Sequence, residues 1–81
     1  MISKENRKIL RHLGTLIHDE RVSNGYSQGE LAEKTGLSRY YIISIEHGKK
    51  NISLSVFRDI ASTLKRKSWR WLKQAEAQKA A

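Results

Sequence analysis

The stretch SQGELAEKTGLSRYYIISIEHG, from Ser27 to Gly48, carries two short helix signals on either side of a glycine. Ser27 stands at an N-cap position with Glu30 three residues later. At that spacing the serine hydroxyl and the glutamate carboxylate can each accept from the other's backbone N–H, the reciprocal capping box. The helix so opened ends at Thr35. Gly36 follows, where a left-handed backbone costs a glycine little. Leu37 can plug the bend, and Ser38 caps a second helix that runs to Gly48.

Two short helices joined by a few residues and crossing steeply around a glycine form a helix-turn-helix unit, whose second helix enters the DNA major groove. The spacing meets its steric needs. With Gln28 as the first position, apolar Leu31 is fourth and small Ala32 fifth, and Gly36, Leu37, Ile42 and Ile45 follow where the crossing requires them. Only Thr35 is less apolar than close packing asks.

On a wheel of about 100° per residue, Tyr41, Ile42 and Ile45 form the inward stripe of the second helix, opposite Arg39, Tyr40, Ile43, Ser44 and His47. A helix that served only the fold would fill its outer face with Lys, Glu and Ala. Its length of roughly 13 Å matches the width of the major groove. There Arg39 suits guanine O6 and N7, Ser44 can donate or accept, and Ile43 offers an apolar surface to a thymine methyl. Tyr40 presents both ring and hydroxyl. Tyr41 sits on the flank, either as a core aromatic with a wet hydroxyl or as a base contact.

Outward from this unit, proline is absent and apolar residues recur at three- and four-residue spacing, so the class is all-α with five helices. The first runs from about residue 6 to 23 with Leu10, Leu13 and Ile17 inward. Ser53 caps a fourth, which carries Leu54, Phe57, Ile60, Ala61 and Leu64. A fifth starts at Ser68 and reaches about residue 78. The expectation is one domain over residues 1–81 with its core in 8–64. On the last helix Trp69 and Leu72 share one side, Trp71 and Ala75 another, and a chain of 81 residues has little core to cover both. Leu54, Phe57, Trp69, Trp71 and Leu72 are therefore candidates for a twofold dimer interface. The alternative folds both tryptophans onto the chain's own core.

Sixteen Lys and Arg against eight Asp and Glu give a net charge of +8 and a pI near 10.1. Such a surplus favours a polyanionic partner, nucleic acid before an anionic membrane or an acidic protein. The plain alternative is that it only keeps a small protein soluble. Cysteine is absent. No apolar run is long enough to span a bilayer, and MISKENRKIL lacks the apolar core of a signal peptide, which points to a cytoplasmic protein on the nucleoid. There is no glycine-rich phosphate loop, no His and carboxylate pair at ligand spacing, and no nucleophile set with motif support. A binding protein is expected rather than an enzyme, with no metal, cofactor or small-molecule substrate.

From Leu13 to Leu64 the sequence resembles the phage-repressor-like helix-turn-helix family of bacterial regulators (lambda repressor-like, XRE-type), on SQGELAEKTGLSRYYIISIEHGKKNISL. Its most specific parts are Ser27-Gln28, Leu31-Ala32, Gly36 and IEHG at Ile45 to Gly48. Within that family SRYYI, Glu46 and KKNISL look most like the controller proteins of restriction-modification systems, which bind their own promoters as dimers. The resemblance implies that Arg39, Tyr40 and Ser44 meet bases, with Ser38 and Tyr41 near base or backbone. Ser27, Gln28, His47, Lys49, Lys50 and Asn51 would hold phosphates. Arg21 and Glu46 match a pair that forms a buried salt bridge in relatives. Glu20 departs from the family, standing where an apolar residue is common. So do Ile52, where proline is common, and KRKSWRW after Leu64.

The expected function is sequence-specific binding of double-stranded DNA as a homodimer on a pseudo-palindromic operator, with RNA polymerase blocked or recruited nearby. The competing class is an antitoxin-type module that masks a toxin partner while repressing its own operon.

Overall fold

The structure is a computed structural model that describes residues 3–66 and 68–80, apart from the side chains of residues 68, 69, 72 and 78–80. Five helices follow one another: α1 (Lys4–Ser23), α2 (Gln28–Thr35), α3 (Arg39–Glu46), α4 (Leu54–Thr63) and α5 (Ser68–Ala80). No strand occurs among the described residues. The first helix begins earlier than its apolar periodicity because Ser3 caps it, its hydroxyl accepting from the Asn6 N–H at 3.1 Å. Ser27, Ser38 and Ser53 cap α2, α3 and α4 in the same way. Each such cap contributes about 1 kcal/mol, which matters in a domain this small.

The core is made by the inward stripes of all five helices. Ile17, Leu31, Ile42, Ile60 and Leu64 are its largest fully buried side chains. The first helix packs against α3 and α5, α2 against α3 and α4, and α4 against α5. One approach is unusually close: a Cβ added to Gly14 of α1 would lie 2.5 Å from the Ile45 carbonyl oxygen and 2.7 Å from that of Glu46. Only a residue without a side chain lets α1 and α3 meet backbone to backbone there.

At the carboxyl end the structure corrects two assignments. Phe57 and Trp71 are each only 4% exposed, with ring centroids 6.1 Å apart. They belong to the monomer core and not to a free interface, because α5 folds back against α1 and α4 and turns its Trp71 and Ala75 side inward. Leu54 stays on the surface at 69% exposure. The Trp69 and Leu72 side chains lie outside the described residues.

The same folding-back accounts for Glu20. Its carboxylate accepts from Arg66 Nε at 2.7 Å and from Nη2 at 3.0 Å, a two-pronged contact that ties α1 to the turn before α5. That turn places Lys65 at φ 60°, a left-handed conformation that disfavours any residue with a Cβ.

Candidate nucleic-acid interface

The two central helices are joined by a bend that is fixed locally. Ser27 Oγ accepts from the Glu30 N–H at 3.0 Å while Glu30 Oε1 accepts from the Ser27 N–H at 2.8 Å, completing the capping box. Those bonds, the backbone one first, hold the Glu30 carboxyl below its ordinary pKa, so the cap keeps its charged form. Gly36 takes φ 72°, and the Leu37 N–H returns to the Ala32 carbonyl at 3.0 Å. Ser38 Oγ then accepts from the Tyr41 N–H at 3.0 Å and α3 departs in a new direction. Thr35, polar at a crowded position, donates its hydroxyl to the Leu31 carbonyl at 2.8 Å, so it is satisfied without a partner from another helix.

A buried ion pair sets the angle of α3. Arg21 donates through Nε to Glu46 Oε2 at 2.6 Å and through Nη2 to Oε1 at 3.1 Å, with both side chains nearly inaccessible. Its Nη1 donates to the Tyr26 carbonyl at 2.7 Å, and Gln28 Nε2 adds a bond to Glu46 Oε1 at 3.1 Å. The Arg21 and Glu46 pair therefore links α1, the loop after it, α2 and α3. Among the described residues no buried side-chain nitrogen or oxygen lacks a partner, as a buried charge pair requires.

On α3, Arg39 and Tyr40 point into solvent, Tyr40 being 74% exposed. Arg39 has no hydrogen bond or ion pair among the described residues. His47, just past the helix, is exposed, and Ile43 is half-buried. Ser44 departs from the wheel: it is 9% exposed. The cause is that α3 is packed by both α1 and α2, so more than half of its circumference is covered. The outward arc narrows to Arg39, Tyr40, Ile43 and His47. Tyr41 is half-buried against the core, with Lys50 Nζ 5.6 Å from its ring centroid.

The residues around this arc are placed unequally. Lys49, Lys50 and Asn51 are exposed in the loop that leaves α3. Ser27 and Ser38 are exposed too, and each accepts a cap bond with its oxygen, which leaves the hydroxyl hydrogen to donate. Gln28 differs from expectation, since its amide is turned inward to Glu46 instead of standing free at the head of α2. Glu46 has more acceptor capacity than Arg21 alone fills, and the half-buried Gln28 amide at the head of α2 takes it up. Sequence reasoning missed Gly14 and the Tyr26 carbonyl. A glycine inside a helical pattern is a signal for the first; the second has none, because any residue supplies a carbonyl.

The sequence profile of the helix-turn-helix family matches residues 17–72. A Neisseria meningitidis protein described as a hypothetical transcription factor is 43% identical over 44 residues, which are 54% of this chain and 42% of that protein's length. Among solved structures, the restriction-modification controller protein C.AhdI from Aeromonas hydrophila is similar with a TM-score of 0.72 and 33% identity, over 78% of this chain and 94% of that one. The structure of SinR, the master regulator for biofilm formation, in complex with DNA is similar with a TM-score of 0.70 and 33% identity, over 74% and 97%.

Proposed function

The chain belongs to the helix-turn-helix family of DNA-binding transcriptional regulators, and from that premise we propose that it binds a pseudo-palindromic operator as a homodimer, in the manner of a restriction-modification controller. The observation that carries this reading is the unpartnered Arg39 beside exposed Tyr40 on the outward arc of a helix whose every other side is packed. A guanidinium free of intramolecular partners can present its fork to a guanine, and the tyrosine adds ring and hydroxyl. Ser27, Ser38, Lys49, Lys50 and Asn51 hold phosphates on either side, which fix register without reading sequence. The similarity to a SinR structure containing DNA supports the same docking. On this reading residues 1–81 act as one DNA-binding unit on the nucleoid in the cytoplasm, covering promoter elements or recruiting polymerase.

Selection of bound fragments from random DNA tests the reading. Arg39→Ala is expected to cost about 1–3 kcal/mol on the selected site and far less on random duplex. Lys49→Ala weakens all sequences alike. Equal loss on selected and random DNA with Arg39→Ala would remove the base-reading role.

The dimer reading rests on Leu54. It stands exposed beside Ile9, Leu10 and Ile52 around an apolar groove of about 230 Å³, between the start of α4 and α1. Covering these side chains with a second copy would enlarge a marginal core, and a pseudo-palindromic operator calls for the two α3 helices about one DNA turn apart, roughly 34 Å. Sedimentation at high micromolar concentration is expected to show a dimer for the natural chain and a monomer for Leu54→Lys. A monomer for both would end the dimer reading.

A further inference from the structure

A groove of about 580 Å³ opens where the end of α3 meets the amino-terminal half of α1, lined by Lys4, Arg7, Arg11, His47, Gly48 and Lys49. The three residues from α1 recur at intervals of three and four, so they share one helix face. Gly48 brings the walls together: its φ is 71°, and a Cβ there would lie 2.7 Å from Arg11 Cγ and 2.8 Å from Arg11 Cα. The turn after α3 is thus pressed against α1 at the level of Arg11.

The charges in this groove are uncompensated. Arg21 and Arg66 each hold a carboxylate with two bonds. By contrast, among the described residues no ion pair or hydrogen bond engages the side chains of Lys4, Arg7, Arg11 or Lys49. Four like charges around one concavity repel one another and add nothing to folding. A cleft lined by a single sign does, however, concentrate potential and attract a polyanion. His47 and Lys49 belong both to this groove and to the margin of the outward arc of α3, so the two surfaces are continuous. From Arg11 back to Lys4 the α1 face extends about 10 Å farther.

We propose that Lys4, Arg7 and Arg11, with Lys49, form a second phosphate clamp that holds the DNA backbone beyond the base pairs read by α3. The clamp rests on the DNA-binding reading above and adds to it a footprint longer than the reading helix needs. Its cations neutralise phosphates on the flank and contribute affinity and salt dependence without sequence preference.

A duplex selected from random DNA by the natural chain is prepared in two lengths, one ending at the selected base pairs and one extended on each side by half a helical turn, about five base pairs. The natural chain is expected to bind the extended duplex more tightly and with a steeper log–log salt slope. The double variant Lys4→Gln, Arg7→Gln should lose that advantage, its slope becoming shallower by about two for each bound subunit, about four for the dimer, and its affinity for the extended duplex falling roughly tenfold or more. Its ranking of sequences stays unchanged. The charge-retaining variant Lys4→Arg, Arg7→Lys keeps the natural slope; a loss of slope there would mean damage to α1 and would overturn the clamp. Equal binding of both lengths by the natural chain would overturn it too, as would an unchanged slope in the glutamine variant. In those cases a sequence preference that still depends on Arg39 leaves the regulator reading intact. If the natural chain selects no sequence at all, both fall together.

Discussion

Replacing Glu46 by alanine is expected to destabilise the protein by about 3–5 kcal/mol, read as a shift in the midpoint of urea unfolding, because it leaves the Arg21 guanidinium buried without a counter-charge. The Arg21 side chain cannot swing out to water without abandoning the Tyr26 carbonyl. The Gln28 amide loses its acceptor at the same time. Against a total stability of about 5–15 kcal/mol for small domains, that loss brings the chain close to unfolding at physiological temperature. The double replacement Arg21→Met with Glu46→Leu should behave differently: packed apolar side chains of similar volume are often neutral or stabilising in place of a buried pair. The double variant is therefore expected to fold while holding α3 less rigidly, and so to lose sequence preference more than stability. A cost below about 1 kcal/mol for Glu46→Ala would mean that water reaches the pair and that the angle of α3 is set elsewhere.

Gly14→Ala is the second large effect, at about 3 kcal/mol of destabilisation. Two tendencies oppose each other. Alanine inside a helix is favoured over glycine by about 1 kcal/mol, while the new methyl would sit 2.5 Å from the Ile45 carbonyl oxygen and 2.7 Å from that of Glu46. An ordinary carbon to oxygen contact is about 3.3 Å or more. Both obstacles are backbone, so no rotamer change relieves them and α3 must back away from α1. The clash wins. Gly29, on the exposed side of α2, is the control: its nearest neighbour to an added Cβ is Ser27 Oγ at 3.9 Å, and Gly29→Ala should stabilise by up to about 1 kcal/mol. Thermal melts of the two variants should move in opposite directions. Equal shifts would remove the close approach as the reason for Gly14.

Much of this architecture is legible in the chain because it is specified within four residues. The capping box at Ser27, the left-handed Gly36 and the serine caps each depend on neighbours, and they alone delimit α2 and α3. The outward positions of Arg39 and Tyr40 follow from helix periodicity. What periodicity misjudges is how wide the exposed arc is. Ser44 falls on the solvent side of an ideal wheel but is covered, since two helices flank α3 and not one. Trp71 and Phe57 fail for a related reason: helix spacing places Trp71 with Ala75 but does not say whether that side meets α1 or a second chain. The inward turn of the Gln28 amide depends on Glu46, eighteen residues away, and no local pattern encodes it. The Arg21 and Glu46 pairing came from family resemblance, since their spacing alone does not specify contact.

The side chains that fasten α3 in place and those it displays are different sets. Arg21, Gln28, Gly14, Ile42, Ile45 and Glu46 form the joint; Arg39, Tyr40 and His47 take no part in it. Substitutions in the second set can drift through evolution at almost no thermodynamic penalty, since none of them fills a cavity or closes a charge pair. On the proposed reading, a lineage carrying this domain can thus acquire new target sites by exchanging two or three surface residues, with the scaffold beneath them unaltered.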